Sequence, residues 1–239
     1  MSDLVRWHDI ECGAYDADLP LWRELAAAGG GPVLDVGCGT GRVTLPLAAD
    51  GFEVTGLDHE PALLEALRQR AGDLRVATVA ADARDFALPG PPFALILVPM
   101  QTVQLLGGPA GRGAFLACAR RHLRPGGLLA AALAEELVAF DAGSDPLPPP
   151  DVREEAGWLY ASQPVAVEAH GERVVLRRMR ETVAPDGALT REDDRIELDD
   201  VDTGELAREG AAAGLTPLPS RRIAPTEDHV GSRVVMLGG

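Results

Sequence analysis

Lysine is absent from this chain. All 22 basic residues are arginine, against 37 acids, and the net charge is -15. A field of that sign repels phosphate backbones. Aromatics make up only 4%, so no stacking platform is evident, and nucleic acid is not an expected partner. Long apolar runs are also missing. No stretch is long enough to span a membrane, and the opening residues, MSDLVRWHDIECG, lack a signal peptide's apolar core. Cysteine is scarce, and Cys12, Cys38 and Cys118 form no metal-type spacing. An odd number without a secretory signal fits a reducing cytoplasm. The composition therefore predicts a cytoplasmic protein, monomer or homodimer, with no metal and no membrane partner. The 239 residues, 46% hydrophobic, suffice for one substantial domain with an insertion.

One stretch organises the rest. The apolar run Pro32-Val33-Leu34-Asp35-Val36 leads at once into Gly37, Gly39 and Gly41, and a helical segment begins near Arg42. A strand that turns through glycines into a helix suits a charged ligand, because the backbone can approach it closely and N–H groups are free. The dinucleotide fingerprint needs glycines at relative positions one, three and six. Here the sixth position is Arg42, so that pattern fails. Asp35, two residues before the first glycine, suits a cofactor with a cationic head group. A second strand, Phe52 to Leu57, ends in Asp58, roughly 20 residues after the loop, where an acid can take two ribose hydroxyls. Capping the helix that begins at Pro61 is compatible with that role. A third strand, Leu74 to Ala81, ends at Asp82. The fourth, Phe93 to Val98, is apolar throughout, as a central parallel strand should be, and runs into Pro99-Met100-Gln101-Thr102-Val103-Gln104. A helix around Gly113 to His122, the turn Arg124-Pro125-Gly126-Gly127 and a fifth strand, Leu128 to Leu133, follow.

From Val33 to about residue 135 these features, in this order, resemble the class I S-adenosylmethionine-dependent methyltransferases. The resemblance implies a doubly wound, seven-stranded Rossmann-like α/β sheet with the last strand antiparallel. It implies S-adenosylmethionine as cofactor and S-adenosylhomocysteine as product. The loop, Gly37, Cys38, Gly39, Gly41 and Arg42, would wrap the methionyl part, and Asp35 would bond its amino-acid end. Asp58, with His59 beside it, would take the ribose. Asp82 and the N–H of Ala83 would hold adenine, with Asp85 as competitor to Asp82. Met100 and Gln101 would border the reacting methyl group. Tyr15, in a segment that often folds over the cofactor in this family, would contact its carboxylate end, unless it simply packs on the sheet.

Asp141 to Asp151, DAGSDPLPPPD, marks a boundary. Beyond it Trp158 to Ala169, Arg173 to Val183 and Ala188 to Asp199 read as three antiparallel strands joined by hairpin residues. Residues 151–200 are expected to form an inserted β cap over the substrate site, with 1–140 and 201–239 as the cofactor-binding domain. Arg177, Arg178 and Arg180 read as a solvated face bridged to Glu181, Glu192 and Asp194. Asp18 is expected to cap the helix starting near Pro20, and Thr203 the helix ending at Ala213. Leu218 to Ala224 and Arg233 to Leu237 should be the last two strands.

The expected reaction is methyl transfer to a small-molecule acceptor, most readily at O or N. The alternatives are a non-catalytic cofactor-binding or interaction protein and, less favoured, a nicotinamide oxidoreductase or an aminopropyltransferase. For a general base, topology points to the carboxyl edge of the sheet. Glu135 and Glu136 follow strand five, and Asp228 and His229 lie in the turn between strands six and seven. His229 is the first choice, with Glu135 and, if the N-terminal segment closes over the site, His8 as alternatives.

Overall fold

The computed structural model describes residues 2–134, 137–143, 146–227 and 229–239. In chain order the elements are α1 (Asp3–Cys12), α2 (Leu19–Gly29), β1 (Val33–Val36), α3 (Thr44–Ala49), β2 (Val54–Asp58), α4 (Pro61–Ala71), β3 (Val76–Ala80) and β4 (Phe93–Val98). A 3₁₀ turn (Thr102–Leu105), α5 (Gly108–His122) and β5 (Leu123–Leu133) follow. Then come β6 (Asp151–Glu155), β7 (Trp158–His170), β8 (Arg173–Val183), β9 (Leu189–Asp199), α6 (Thr203–Ala212), β10 (Thr216–Ile223) and β11 (Ser232–Gly238).

The first sheet has the order β10-β11-β5-β4-β1-β2-β3. Strands β1 to β5 pair in parallel, and β11 runs antiparallel to both β5 and β10. Every residue of β4 is buried. Its side chains alternate between two cores, as a strand with helices on both faces requires. Ile96 and Val98 join Phe115, Leu116 and Leu206 on the α5–α6 side. Leu95 and Leu97 join Trp22, Leu25 and Leu47 on the α2–α3 side. This is the Rossmann-like fold the sequence predicts.

The second sheet, β6-β7-β8-β9, is wholly antiparallel and has four strands where three were expected. The additional strand, β6, begins at the last residue of the Pro-rich link and pairs Asp151↔Ser162 through Glu155↔Trp158. Its sequence, Asp-Val-Arg-Glu-Glu, has almost no apolar content, so hydrophobic patterning does not reveal it.

Two cap assignments are corrected. Asp18 makes no side-chain cap for α2, because the Arg42 guanidinium takes both of its oxygens, at 2.6 and 2.8 Å. A charge-assisted bidentate pair outcompetes one neutral N–H. At α6 the cap is Asp202, whose carboxylate accepts from Glu205 N, and Thr203 is the first helical residue. The arginines of β8 need revision as well. Arg177 is exposed, but Arg178 and Arg180 are largely buried on the face towards α1. Arg180 reaches Asp194 at 2.9 Å and also pairs bidentately with Glu11 of α1, so this face is an internal seam and not a solvated one.

Candidate functional site

A cavity of about 420 Å³ opens at the carboxyl ends of β1 to β4. This is where ligands enter open parallel sheets. Its walls come from three places. The strand ends and the glycine loop supply Asp35, Gly37, Cys38, Arg42, Asp58, His59, Asp82 and Ala83. The segment after β4 supplies Met100 and Gln101, and α1 supplies His8, Glu11 and Cys12. The second sheet closes the top with Leu176, Arg178, Ile196 and Leu198.

The glycine loop has no room for side chains. Gly37 has φ +71, and a Cβ there would lie 2.5 Å from Thr102 Cγ2. Gly39 has φ +54, and the His8 ring occupies the space its Cβ would need. Both positions are therefore closed to other residues by conformation and by contact.

Asp35 is 1% exposed. Its Oδ2 accepts from Thr44 Oγ1 at 2.6 Å, while Oδ1 is buried with no hydrogen-bond partner among the described residues. Burial raises its pKa to about 6, against the opposing effects of Thr44 and Arg42. An orphaned buried carboxylate oxygen at a cavity wall marks a place for a donor or a cation. Asp58 accepts from Gly39 N at 2.8 Å and from Glu60 N at 3.0 Å, so one carboxylate fixes both the glycine loop and the entry to α4. His59 stands exposed beside it, with Nδ1 3.5 Å from Asp58 Oδ1. Asp82 is gripped by Arg84, whose hydrogen bonds hold its carboxyl at about 2. It is a permanent acceptor at any physiological pH. Asp85 does not line the cavity, and its N–H bonds the Asp82 carbonyl.

Met100 has φ 56, which is unusual for a residue with a side chain. Such strain persists where the surroundings over-determine the backbone, and it clusters at functional sites. Burial pushes the Cys38 thiol up, so it is an inert lining group. Arg42, expected as a cofactor contact, has its guanidinium committed to Asp18 and to the Tyr15 carbonyl at 2.8 Å.

Four expected residues are not among those that line the cavity: Gly39 and Gly41 of the glycine loop, Tyr15 and His229. Tyr15 belongs to the core beneath α2, with the Arg42 guanidinium 5.1 Å from its ring centroid. His229 packs on that same ring, with centroids 5.0 Å apart, and does not line the cavity. The strand order explains this. The β10–β11 turn belongs to strands separated from β4 by β5, and strands are spaced ~4.8 Å apart. Glu135, Glu136 and Asp228 lie outside the described residues.

His8 is at the cavity instead, because α1 covers the glycine loop. Its Nδ1 lies 3.4 Å from Thr40 Oγ1, and Thr40 donates its own proton to Asp9 Oδ1 at 2.8 Å. Asp9 in turn receives Arg70 bidentately, at 2.9 and 2.6 Å. This network assigns the imidazole proton to Nδ1 and leaves Nε2 with its lone pair. Burial lowers the His8 pKa, with Asp9, Asp58 and Glu11 opposing and Arg42 adding to the effect, so the ring is neutral at pH 7.

The family described as "Methyltransferase domain" matches residues 33–127, which carry β1 to β4 and all the strand-end acids. This stretch is similar to a methyltransferase domain. Among curated proteins, a demethylmenaquinone methyltransferase of Tropheryma whipplei is 36% identical over 113 residues, covering 45% of this chain and 46% of that protein. A cypemycin N-terminal methyltransferase of a Streptomyces species is 34% identical over 137 residues, covering 53% and 56%. The chain spans about half the length of the curated relatives it matches. Similarity in fold runs through the whole chain. An amino pentose methyltransferase from Micromonospora echinaspora superposes with a TM-score of 0.73 at 24% identity, covering 99% of this chain and 98% of that one. A sugar N-methyltransferase from Streptoalloteichus superposes with a TM-score of 0.74 at 19% identity, covering 98% and 93%. The matched stretch thus supplies one side of the cavity, and α1 and the second sheet supply the others. No helix among the described residues is long and apolar enough to cross a membrane.

Proposed function

We propose that this chain transfers the methyl group of S-adenosylmethionine to an O or N nucleophile on a small molecule. The observation that carries the reading is the convergence of Asp35, Asp58 and Asp82 at one cavity, with an unpartnered oxygen on Asp35. Asp35 would hold the cofactor's cationic amino end, Asp58 its ribose, and Asp82 with Ala83 its adenine. When bound, the cofactor supplies a sulfonium-activated methyl group. The protein positions the acceptor and excludes water, which can contribute up to roughly 7–11 kcal/mol in ideal cases. The second sheet is read as the cap of the acceptor site. The cavity left beneath it favours an enzyme over a non-catalytic binder. Sugar and amino pentose acceptors of the similar structures and the quinone precursor named for a curated relative are all small molecules. A cytoplasmic location fits this chemistry.

His8 replaces His229 as the proposed proton acceptor, being neutral, half-buried and on the cavity wall. A positioned base contributes typically 10²–10⁴-fold. His8→Gln should lower turnover on an identified hydroxyl or amine acceptor by at least tenfold. S-adenosylhomocysteine affinity is measured separately, and unchanged turnover would eliminate His8.

Calorimetry tests the cofactor reading. S-adenosylhomocysteine should bind and NAD should not. Asp58→Ala removes charge-assisted bonds of about 1.5–3 kcal/mol each, so affinity should fall at least tenfold. Tighter binding of NAD than of S-adenosylhomocysteine would sink the assignment.

A further inference from the structure

The charges around the cavity divide it into two halves. Near the glycine loop, Asp35 and Asp58 have no cationic side chain bonded to them; Thr44 and backbone N–H groups are their donors, and only the exposed His59 ring lies near Asp58. Elsewhere every charged lining group is already paired. Arg42 is bound to Asp18, Asp82 to Arg84, Glu11 to Arg180, and Arg178 to Asp151 at 3.0 Å. The surface between these pairs is mainly apolar, with Gln101 and Thr102 as its polar members. Met100, Leu105 and Leu106 form one wall, and Leu176, Ile196 and Leu198 of the second sheet face them. Leu176 and Ile196 are direct cross-strand partners and so present one continuous patch. Leu105 is 54% exposed, so it is open to contact from the slot.

Among the described residues Arg178 is the charged group the second sheet offers to this slot, and of its nitrogens only NH1 is hydrogen-bonded. Behind it stand three carboxylates, Glu11, Asp151 and Asp194, against two guanidiniums, Arg178 and Arg180. An anion at Arg178 would add charge to a cluster that already holds an excess of acid. A cation in the slot would face the Arg178 guanidinium, the charged group the second sheet contributes to the lining. A neutral oxygen satisfies the free N–H at no electrostatic cost.

Resting on the methyl-transfer reading, we infer that the slot takes the acceptor, and that the acceptor is an uncharged molecule. It has an apolar face gripped between the post-β4 segment and the second sheet, and a neutral oxygen that meets Arg178. Its nucleophile therefore reacts from the neutral form. An amine entering here gives up its proton on desolvation.

The test uses three naphthalene probes on the protein saturated with S-adenosylhomocysteine. They are 1-naphthol, 1-naphthoate and 1-naphthylmethylammonium, titrated by fluorescence. The neutral probe should bind at least tenfold more tightly than either ion. Ile196→Asn and, on the opposite and exposed wall, Leu105→Asn should each weaken 1-naphthol at least fivefold while leaving S-adenosylhomocysteine affinity unchanged. Tighter binding of either ion, or unchanged 1-naphthol binding in Leu105→Asn, would overturn the inference. If S-adenosylhomocysteine itself fails to bind, the cofactor reading falls, and the same series without it still decides the slot.

Discussion

The two sheets of this molecule are specified by different forces. Strand β4, FALILV, is buried end to end, whereas most of β9, LTREDDRIELD, is exposed. The first sheet is held by burial on both faces. The second is aligned by charge. Glu181 and Arg191 are direct partners at 2.7 Å, and Arg173–Glu197 and Arg180–Asp194 run diagonally across the same pair of strands. Such pairs contribute little energy when exposed, but they penalise a slipped register by bringing like charges together. A sheet of this kind can be stable in one alignment without a deep core, and its inner face remains available to line a cavity.

Where the two sheets meet, charge is buried, and the largest effect is expected there. Arg112 of α5 is 2% exposed and binds Asp199 at the end of β9 and Glu205 and Glu209 of α6, at 2.6 to 3.1 Å. Arg112→Ala strands these carboxylates and should cost ~3–5 kcal/mol in denaturant unfolding. A loss under 1 kcal/mol would mean that the junction is solvated. Ile96→Ala, in β4, should cost ~2–5 kcal/mol by deleting methyl groups from a packed core. The matching substitution in the second sheet, Arg191→Ala, should cost only ~0–1 kcal/mol by the same assay. Equal losses would erase the distinction between the sheets.

Proton linkage separates them too. Asp35 has a folded pKa of about 6, above its ordinary value of 3.8, so the native state holds the extra proton between those values. Stability from this group is complete below pH ~4 and falls as pH rises through 6, by about 3 kcal/mol at ~1.4 kcal/mol per pH unit. Asp35→Asn should flatten that part of the stability–pH curve. Glu197 of β9 behaves oppositely. Arg173 holds its pKa down, so its contribution is present above the unfolded value and is lost as pH falls. An unchanged curve in Asp35→Asn would show that Asp35 is not the buried acid responsible.

Much of the first sheet is legible in the sequence because its signals are local. Strands β1 to β3 are short apolar runs that stop at glycine or at an acid, and those acids line the cavity. The remainder depends on distant partners. Helix α1 carries Val5, Trp7 and Ile10 on its buried side, but that face has meaning only once Tyr160 of β7 packs on Trp7. His8 becomes a cavity residue for the same reason. Tyr15 and His229 read as site residues from the resemblance and from the strand direction, yet Tyr15 packs in the core beneath α2 and His229 packs on its ring, away from the cavity lining. Arg112 gives no signal at all, since its three acidic partners lie 87 to 97 residues away.

Gln104 is buried between the sheets, where its Oε1 accepts from Ala134 N at 2.9 Å and its Nε2 donates to the Asp199 carbonyl at 3.1 Å. Ala134 is where the chain leaves the parallel sheet, and Asp199 is where it comes back. One amide therefore holds the exit and the return of a 64-residue excursion side by side, as a clasp closes a necklace. The closure entropy of a loop rises only by ~0.6 kcal/mol for each doubling of its length. Loop closure alone therefore puts little limit on the length of chain beyond the clasp, and what ties the excursion down is its contact with α1 and α5, through Glu11–Arg180, Trp7–Tyr160 and Arg112–Asp199.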